Sequence, residues 1–390
     1  MKLVAYRIEN FKSFVDSGWI EFNKLLLFYG NNSAGKSAIH QSLLLLRNAY
    51  EIEQRQQKVY SIAELDGTKA RIEDFINKKH LNEGMNILFK FIDNEHDFVY
   101  GLHFEISNGK EIEKLILFDK EKEIDLSEYY EPDNVFFVSK RTVLPDDEYK
   151  QIIFEIMTEL RRFADAFMDI NPIRRSPERE FVFHNTEITD LGRAGENSYA
   201  KLYSLIENNE LKNKFLSNWI SEFGFKLEWR YIAQNQGKFV LIDSKSGIES
   251  NLVDNGFGIG QSLPVVVALA TAQDKCLLVD SPEAFLQTNM QTKIADYIIG
   301  SASNNMLMVE TSSEYLLNRV RRRIAEKKLS NKEVNVIFIH DVEGESVCEK
   351  LEIDDTGEIQ RQSEEFKQFF SSDYEDVMAI LLAKGGKNFG

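Results

Sequence analysis

Cysteine and proline are scarce in this chain, whose 390 residues include two Cys and six Pro. Cys276 and Cys348 cannot build a disulfide framework, and they supply too few thiolates for a zinc site. No run of about 18 apolar residues occurs, so the sequence predicts no membrane-spanning helix. The opening MKLVAYRIENFKSF has charged and polar residues where a signal peptide needs an apolar core. We therefore expect a cytoplasmic protein with no membrane partner.

Basic residues are fewer than acidic ones: the chain has 47 Lys and Arg and 63 Asp and Glu, which gives a formal net charge of −16. This balance argues against non-specific coating of nucleic acid, although it leaves a local basic groove open. Two local arginine clusters can be read as a nucleic-acid or partner surface, or as solvated faces paired with nearby acids. They consist of Arg174, Arg175 and Arg179, and of Arg319, Arg321, Arg322 and Arg323.

What the chain does contain is enough apolar sequence for a real core, with 43% hydrophobic and 12% aromatic residues. Short apolar runs alternate with helical patterns in the last third, which predicts a parallel sheet. Alternating runs between residues 52 and 140 predict an inserted antiparallel lobe. Helices are predicted at 148–168, at about 285–299 and at about 374–384, and a strand at 18–22. The predicted fold class is α/β, with a mixed sheet, an antiparallel β lobe and a helical lobe.

Five segments follow from this pattern. They are the N-terminal strands, a glycine-rich loop and the first helix (1–50), the inserted β lobe (51–145), a helical lobe with a hairpin (146–250), a second strand-and-helix part of the core (251–340), and a C-terminal hairpin and helix (341–390).

One segment matches the complete G-x-x-x-x-G-K-[ST] phosphate-loop pattern, between the apolar run 25–29 and a helical pattern. Its glycines allow the backbone amides to point at phosphate oxygens, and the following helix start adds positive potential. Lys36 is expected to bridge the β- and γ-phosphates of ATP, and Ser37 to bind Mg²⁺. The predicted nucleotide contacts are Gly30, Asn31, Asn32, Ser33, Ala34, Gly35, Lys36, Ser37 and Ala38.

Two carboxylates follow the apolar run KCLLV. Asp280 ends that predicted strand, where a Walker B carboxylate reaches Mg²⁺ across the nucleotide site. Glu283 comes three residues later, where it can orient or deprotonate the attacking water. The alternative is that both acids merely cap the next helix.

Several segments occur together in one order: IENFKSF, the phosphate loop, DNGFGIGQSLPVV, LLVDSPE and VETSSEYLLNRVRRRI. In this order the chain resembles the ABC-type ATPase heads of the RecF, SMC and OLD-like superfamily. Within that group it is similar to small prokaryotic ATPases of antiphage-defence or repair loci. The resemblance implies a head-to-head dimer in which each phosphate loop faces the partner's signature segment, residues 255–261. It assigns phosphate contacts to Gly258, Gly260, Gln261 and Ser312, and adenine contacts to Asn10, Lys12 and Ser13.

The chain departs from that family at several positions. Gly260 stands where a serine is common, and Ser312 stands where a histidine contacts the γ-phosphate. The sequence Phe285-Leu286-Gln287-Thr288 replaces a His-Leu-His-Pro segment. Because the lost groups act on the attacking water and on transition-state charge, we expect slow ATP hydrolysis.

The sequence offers no further clear metal ligands. The glutamine that links Mg²⁺ to the inserted lobe in the family is not assignable, and Gln41 is expected to be packed or solvated. The six histidines show no metal-ligand spacing and are expected to have ordinary core or surface roles.

Three functions fit these observations. The first is an ATP-dependent switch, a homodimer or higher homo-oligomer, that controls a separate nuclease or toxin effector in prokaryotic antiphage defence. The second is a RecF-like repair ATPase that binds DNA directly. The third is a scaffold that binds ATP without hydrolysing it.

Overall fold

The fold is described from a computed structural model. It covers residues 1–55, 57, 71–81, 83–93, 96–107, 110–120, 122–126, 136–137, 147–183, 188, 190–208 and 214–369. The predicted helix at 374–384 lies outside these residues, as do parts of the predicted β lobe.

Eighteen strands are described, and most belong to one large mixed sheet. They are β1 (Lys2–Phe11), β2 (Phe14–Asp16), β3 (Ile20–Glu21), β4 (Leu25–Gly30), β5 (Met85–Asp93), β6 (His96–Ser107), β7 (Lys110–Asp119), β8 (Lys122–Asp125), β9 (Phe167–Ile170), β10 (Phe181–Val182), β11 (Phe225–Ala233), β12 (Gln236–Asp243), β13 (Glu249–Asn251), β14 (Cys276–Asp280), β15 (Met306–Thr311), β16 (Val334–Val342), β17 (Glu345–Ile353) and β18 (Ile359–Gln360).

The α-helices of the described ranges connect these strands or pack on them. They are α1 (Lys36–Gln54), α2 (Asp147–Ala166), α3 (Ser198–Glu207), α4 (Lys214–Glu222), α5 (Phe257–Thr271), α6 (Thr288–Ser301) and α7 (Glu314–Ala325). None of these helices is long and apolar enough to cross a membrane.

Five parallel strands form one end of the sheet, in the order β16-β4-β15-β14-β9. Strand β4, which lies between β16 and β15, is fully buried, as its wholly apolar sequence predicts for a strand covered on both faces. Because all five strands run the same way, their carboxyl ends meet at one edge. That edge carries the segments that follow β4, β14 and β15.

An antiparallel lobe extends the same sheet. β1 pairs with β5, and β5, β6, β7 and β8 pair in sequence order. A separate four-stranded sheet is built from β10, β11, β12 and β13. The predicted α/β class with a mixed sheet is therefore confirmed, whereas the five segment boundaries stay a prediction.

Two apolar clusters cover the two faces of the central sheet. Leu26 and Phe28 of β4 belong to one cluster, which includes α1 and the antiparallel lobe. Leu25, Leu27 and Tyr29 belong to the other, which includes α5, α6 and α7. The alternation along one strand follows from the two-residue period of β structure, and it fixes β4 between the layers.

Three element predictions were wrong in extent. The helix expected at 148–168 ends at Ala166, and its last residues continue as strand β9. The helix expected at about 285–299 begins only at Thr288. The strand expected at 18–22 is reduced to Ile20–Glu21, since Gly18 has a positive φ that breaks extended pairing.

Candidate functional site

The phosphate-loop segment leaves β4 and enters α1 through a tight turn. Gly30 and Gly35 have φ values of 153° and 107°, and a Cβ atom at either position would collide with a neighbour. At Gly30 that neighbour is the carbonyl oxygen of Ile339, and at Gly35 it is the hydroxyl of Ser346. Both glycines of the motif are therefore required by the local geometry.

Lys36 lies folded across this loop. Its Nζ donates to the carbonyl oxygens of Gly30 and Asn31, at 2.9 and 2.7 Å. Burial lowers the pKa of Lys36, and the attraction of nearby carboxylates only partly offsets this effect. The ammonium group is thus held at the loop by weak neutral acceptors, which an anionic phosphate can replace.

The Walker B position, Asp280, ends β14 beside β15. Asp280 is paired in register with Glu310, so two carboxylates leave adjacent strands at the same level. The Ser281 hydroxyl donates to Asp280 at 2.7 Å. Burial, and then the charge of Glu310, raise the pKa of Asp280. A cation at this edge would favour the charged carboxylate and so oppose both effects on the pKa.

Glu283 is buried and is held by the end of β15. One carboxylate oxygen, Oε1, accepts a hydrogen bond from the Thr311 hydroxyl at 2.7 Å and one from the Ser312 backbone N–H at 3.3 Å. The other oxygen, Oε2, has no hydrogen-bond partner in the structure. Burial raises the pKa of Glu283. The structure therefore orients Glu283 by one oxygen and leaves the second available to accept a proton.

Glu310 is a site residue that the sequence interpretation missed. It is only 1% exposed, and the Ser37 hydroxyl lies 3.4 Å from its Oε2 atom. The signal for it was present, because MLMVE is an apolar run that ends in a carboxylate, the same pattern that indicated Asp280.

His40 was expected to have an ordinary core or surface role, and the structure places it in the core next to the site. Its imidazole lies between two carboxylates, with Nδ1 3.3 Å from Glu310 and Nε2 3.7 Å from Asp169. Burial alone would lower the pKa of His40, but these two acids together raise it to about 9. Sequence spacing could not show this, because the partners come from β9 and β15, far along the chain.

The signature segment differs from the expected turn, because α5 already begins at Phe257 and includes Gly258, Gly260 and Gln261. Gln261 is buried, and its side-chain amide donates to the Arg174 carbonyl oxygen at 2.9 Å. Gly260 is also buried, and its carbonyl accepts from Tyr199 at 3.0 Å. Gly256 and Phe257 remain exposed at the helix start. A phosphate role for Gly258, Gly260 or Gln261 stays a prediction.

Arg174 connects this helix to the Walker B segment. Its guanidinium donates to the carbonyl oxygens of Asp280 and Ser281, at 2.7 and 2.9 Å. The side chain is 3% exposed, and burial lowers its pKa to about 10. Arg174 is therefore a structural link and does not belong to a surface cluster.

Five of the other six clustered arginines pair with neighbouring acids, as the solvated-face interpretation expects. Arg175 pairs with Glu178 and Arg179 with Asp254. In α7, Arg319 and Arg323 pair with Asp296, Arg322 pairs with Glu326, and Arg321 donates to the Gly357 carbonyl oxygen.

The three candidates for adenine contacts separate in the structure. Asn10 is buried and donates to the carbonyl oxygens of His80 and Gly84, so it has a structural role. The ammonium of Lys12 lies over the Phe75 ring at 5.9 Å. Only Ser13 lies against the phosphate loop, where it accepts from Ser346 at 2.6 Å, beside Gly35.

The donor set at this edge fits a divalent cation. The Ser37 hydroxyl and the Asp280 carboxylate are the oxygen ligands expected beside a phosphate loop. A buried carboxylate, Glu310, lies within reach of Ser37. These hydroxyl and carboxylate oxygens are hard donors, which are the ligands that Mg²⁺ prefers.

By sequence, the chain matches no protein-family model and no curated protein. By structure it is similar to an SMC head bound to the C-winged helix domain of ScpA, with a TM-score of 0.52 at 14% identity, covering 90% of this chain and 98% of that one. It also matches the SMC head domain from Thermotoga maritima, with a TM-score of 0.44 at 12% identity over 90% and 100% of the two chains. A third match is an SMC head bound to the C-terminal domain of ScpA derived from Pyrococcus furiosus, with a TM-score of 0.46 at 12% identity over 90% and 96%. The first of these matches shows that the chain has the fold of an SMC head, as the motif order predicted.

Proposed function

We propose that this protein is an ATP-binding ATPase of the ABC type that acts as a nucleotide-dependent switch in antiphage defence. One observation carries the proposal. The phosphate loop, Asp280 and Glu283 come from distant parts of the sequence, yet they meet at the carboxyl edge of β4, β14 and β15. This is the convergence that phosphoryl chemistry requires.

Each residue has a role that follows from its place. The amides of residues 30–38 and the start of α1 would hold the triphosphate of ATP. Ser37 and Asp280 would hold Mg²⁺, which supplies charge neutralisation between the phosphates. Glu283 would accept a proton from the attacking water through its free oxygen, while Thr311 fixes its orientation.

Turnover should be slow. Ser312 is exposed and contributes its backbone N–H to Glu283, so no imidazole is present at this position to contact a phosphate. Gly260 carries no hydroxyl. A head that binds ATP well and hydrolyses it slowly remains in its ATP-bound state for a long time, which suits a switch.

Assembly and effector control form the finer part of the proposal. We expect a homodimer or higher homo-oligomer that closes on ATP and holds or releases a nuclease or toxin on a separate chain. One similar structure is an SMC head in complex with a protein partner, which supports partner binding by heads of this fold. Because the surface arginines pair with acids, direct DNA binding is the weaker candidate.

The central test measures ATP binding and phosphate release by the purified chain. Lys36→Ala should weaken ATP affinity at least ten-fold, because it removes the only cation of the loop motif. Glu283→Gln should keep ATP affinity and abolish phosphate release. Lys24→Ala is the matched control, since Lys24 is an exposed residue at the other end of β4, paired with Glu333. Unchanged ATP affinity in Lys36→Ala would refute the proposal.

Effector control is tested by recovery of neighbouring gene products on the tagged protein. Partner recovery should depend on ATP in the wild type and lose that dependence in Lys36→Ala. Equal partner recovery with and without ATP would refute ATP-dependent effector control but would not affect the ATPase proposal.

A further inference from the structure

A buried group of ionisable side chains adjoins the phosphate loop, and the nucleotide chemistry above does not use all of it. His40 lies on α1, Asp280 ends β14, and Glu310 is near the end of β15. One ligand atom from each lies within 4.8 Å of the others. Three elements thus bring an imidazole and two carboxylates to one point.

One oxygen of the buried Glu310 carboxylate lacks a hydrogen-bond donor. It is 1% exposed, and its Oε1 atom receives no hydrogen bond, although His40 Nδ1 lies 3.3 Å away. His40 is 5% exposed, and its Nε2 atom also has no hydrogen-bond partner. Burying these two atoms without hydrogen bonds is costly. A bound cation would take the place of the proton that the two acids favour on His40, and it would give Glu310 Oε1 a partner.

We propose that His40, Asp280 and Glu310 form a site for a divalent transition-metal ion of the Mn²⁺ class, filled without nucleotide. One imidazole and two carboxylates give a mixed nitrogen and oxygen set. Such a set prefers first-row transition ions to Mg²⁺, whose ligands are oxygens. Ser37, 3.4 Å from Glu310, supplies a further oxygen at the same place.

A second layer of residues supports this site. Asp169 lies 3.7 Å from His40 Nε2 and is itself held by Arg193, whose Nε atom donates to it at 2.7 Å. A carboxylate behind a ligating imidazole orients the ring and strengthens it as a donor. His40 therefore presents Nδ1 towards Glu310 and the metal position.

The site also has a route of entry. A cavity of about 320 Å³ is lined by polar groups that include Ser37, His40, Asn171, Arg193 and Asp280. A hydrated ion can reach His40 and Asp280 through it.

This inference goes beyond the proposed function. The site shares Asp280 with the nucleotide-linked Mg²⁺, but its other ligands, His40 and Glu310, come from the protein and require no phosphate.

The test treats the full, nucleotide-free chain with a chelator and then titrates it with Mn²⁺. Binding is monitored by the loss of the electron paramagnetic resonance signal of free Mn²⁺. We expect one Mn²⁺ per chain, retained in a hundred-fold excess of Mg²⁺. Spin-echo modulation from a coordinated imidazole nitrogen should be visible in the wild type, so this readout does not depend on a variant folding correctly. Absence of Mn²⁺ binding, or binding without a nitrogen signal, would overturn the proposal.

Variants locate the ion. Glu310→Gln, which preserves side-chain size, should weaken Mn²⁺ affinity at least ten-fold, and Asp169→Asn should weaken it roughly ten- to hundred-fold, as loss of outer-shell partners does. Glu326→Gln, at an exposed ion pair of α7, should have no effect. Unchanged affinity in Glu310→Gln would also overturn the proposal.

The two hypotheses fail separately. If Mn²⁺ binds only together with ATP, the metal-site proposal is refuted and the ATPase proposal is unaffected. If the chain binds Mn²⁺ without nucleotide but never binds ATP, the ATPase proposal is refuted and the metal-site proposal is supported.

Discussion

Glu283 has two unequal oxygens, and this difference is set by single hydrogen bonds from β15. Thr311 and Ser312 hold Oε1, whereas Oε2 is buried without a partner. A hydrogen bond to a charged acceptor contributes about 1.5–3 kcal/mol. The orientation of the proposed base therefore depends mainly on one hydroxyl group.

Thr311→Val should release this orientation. We expect the rate of phosphate release to fall roughly ten-fold, as for loss of one charge-assisted hydrogen bond, while ATP affinity changes less than about two-fold because the loop is untouched. Steady-state kinetics measure both. Thr271→Val is the control, since that hydroxyl donates only to the Val267 carbonyl oxygen of its own helix. A rate equal to that of the wild type would mean that Thr311 has no orienting role.

Gly260→Ser restores the residue that is common in the resembled family, yet we expect no gain in hydrolysis. A Cβ at Gly260 would lie 2.8 Å from Cδ of Pro177, whose ring cannot turn away. Overpacking of this kind costs about 1–3 kcal/mol, measurable by urea unfolding. In the control Gly300→Ala the new Cβ meets only Phe215, at 3.8 Å, so it should be neutral or stabilising. Faster turnover in Gly260→Ser would contradict the steric argument.

At the scale of elements, the sequence predicted units whose signal is local. The strand–loop–helix around residues 25–54 follows from one apolar run, one motif and one helical pattern. Strand β9 was missed because four residues after a strong helix carry too little periodicity. That omission hid Asp169, and with it the environment of His40. The burial of Arg174 was also invisible, because its partners are carbonyl oxygens of the β14 segment.

Arg174 joins two elements, so Arg174→Leu should disturb both. It leaves the carbonyl oxygens of Asp280 and Ser281 without their donor, which costs about 1–3 kcal/mol for each buried group. Chemical unfolding should show this loss, and phosphate release should slow. The adjacent Arg175→Leu is the matched control, because Arg175 is half exposed and pairs only with Glu178; its effect should stay within about 0.5 kcal/mol. Equal effects of the two variants would show that Arg174 does not connect the two elements.

At the scale of the whole molecule, one sheet separates two apolar layers. Leu26 and Leu27 are adjacent and both fully buried, but they face opposite layers. Since β4 belongs to both layers, we expect them to unfold together.

Leu26→Ala and Leu27→Ala should each lower the free energy of unfolding by about 2–5 kcal/mol, the usual cost of a cavity in a core. Denaturant unfolding followed by both far-ultraviolet circular dichroism and tryptophan fluorescence should give coincident curves for each variant. Two separate transitions in either variant would show that the layers are independent.

The position of β4 also has a consequence during protein synthesis. Residues 25–30 pair with residues 307–311 and 334–339, which the ribosome makes some three hundred residues later. Closing so long a loop is slow, and until it closes the nascent phosphate loop has no neighbouring strands to shape it. We therefore expect a growing polypeptide to bind nucleotide only after residue 339 has been made.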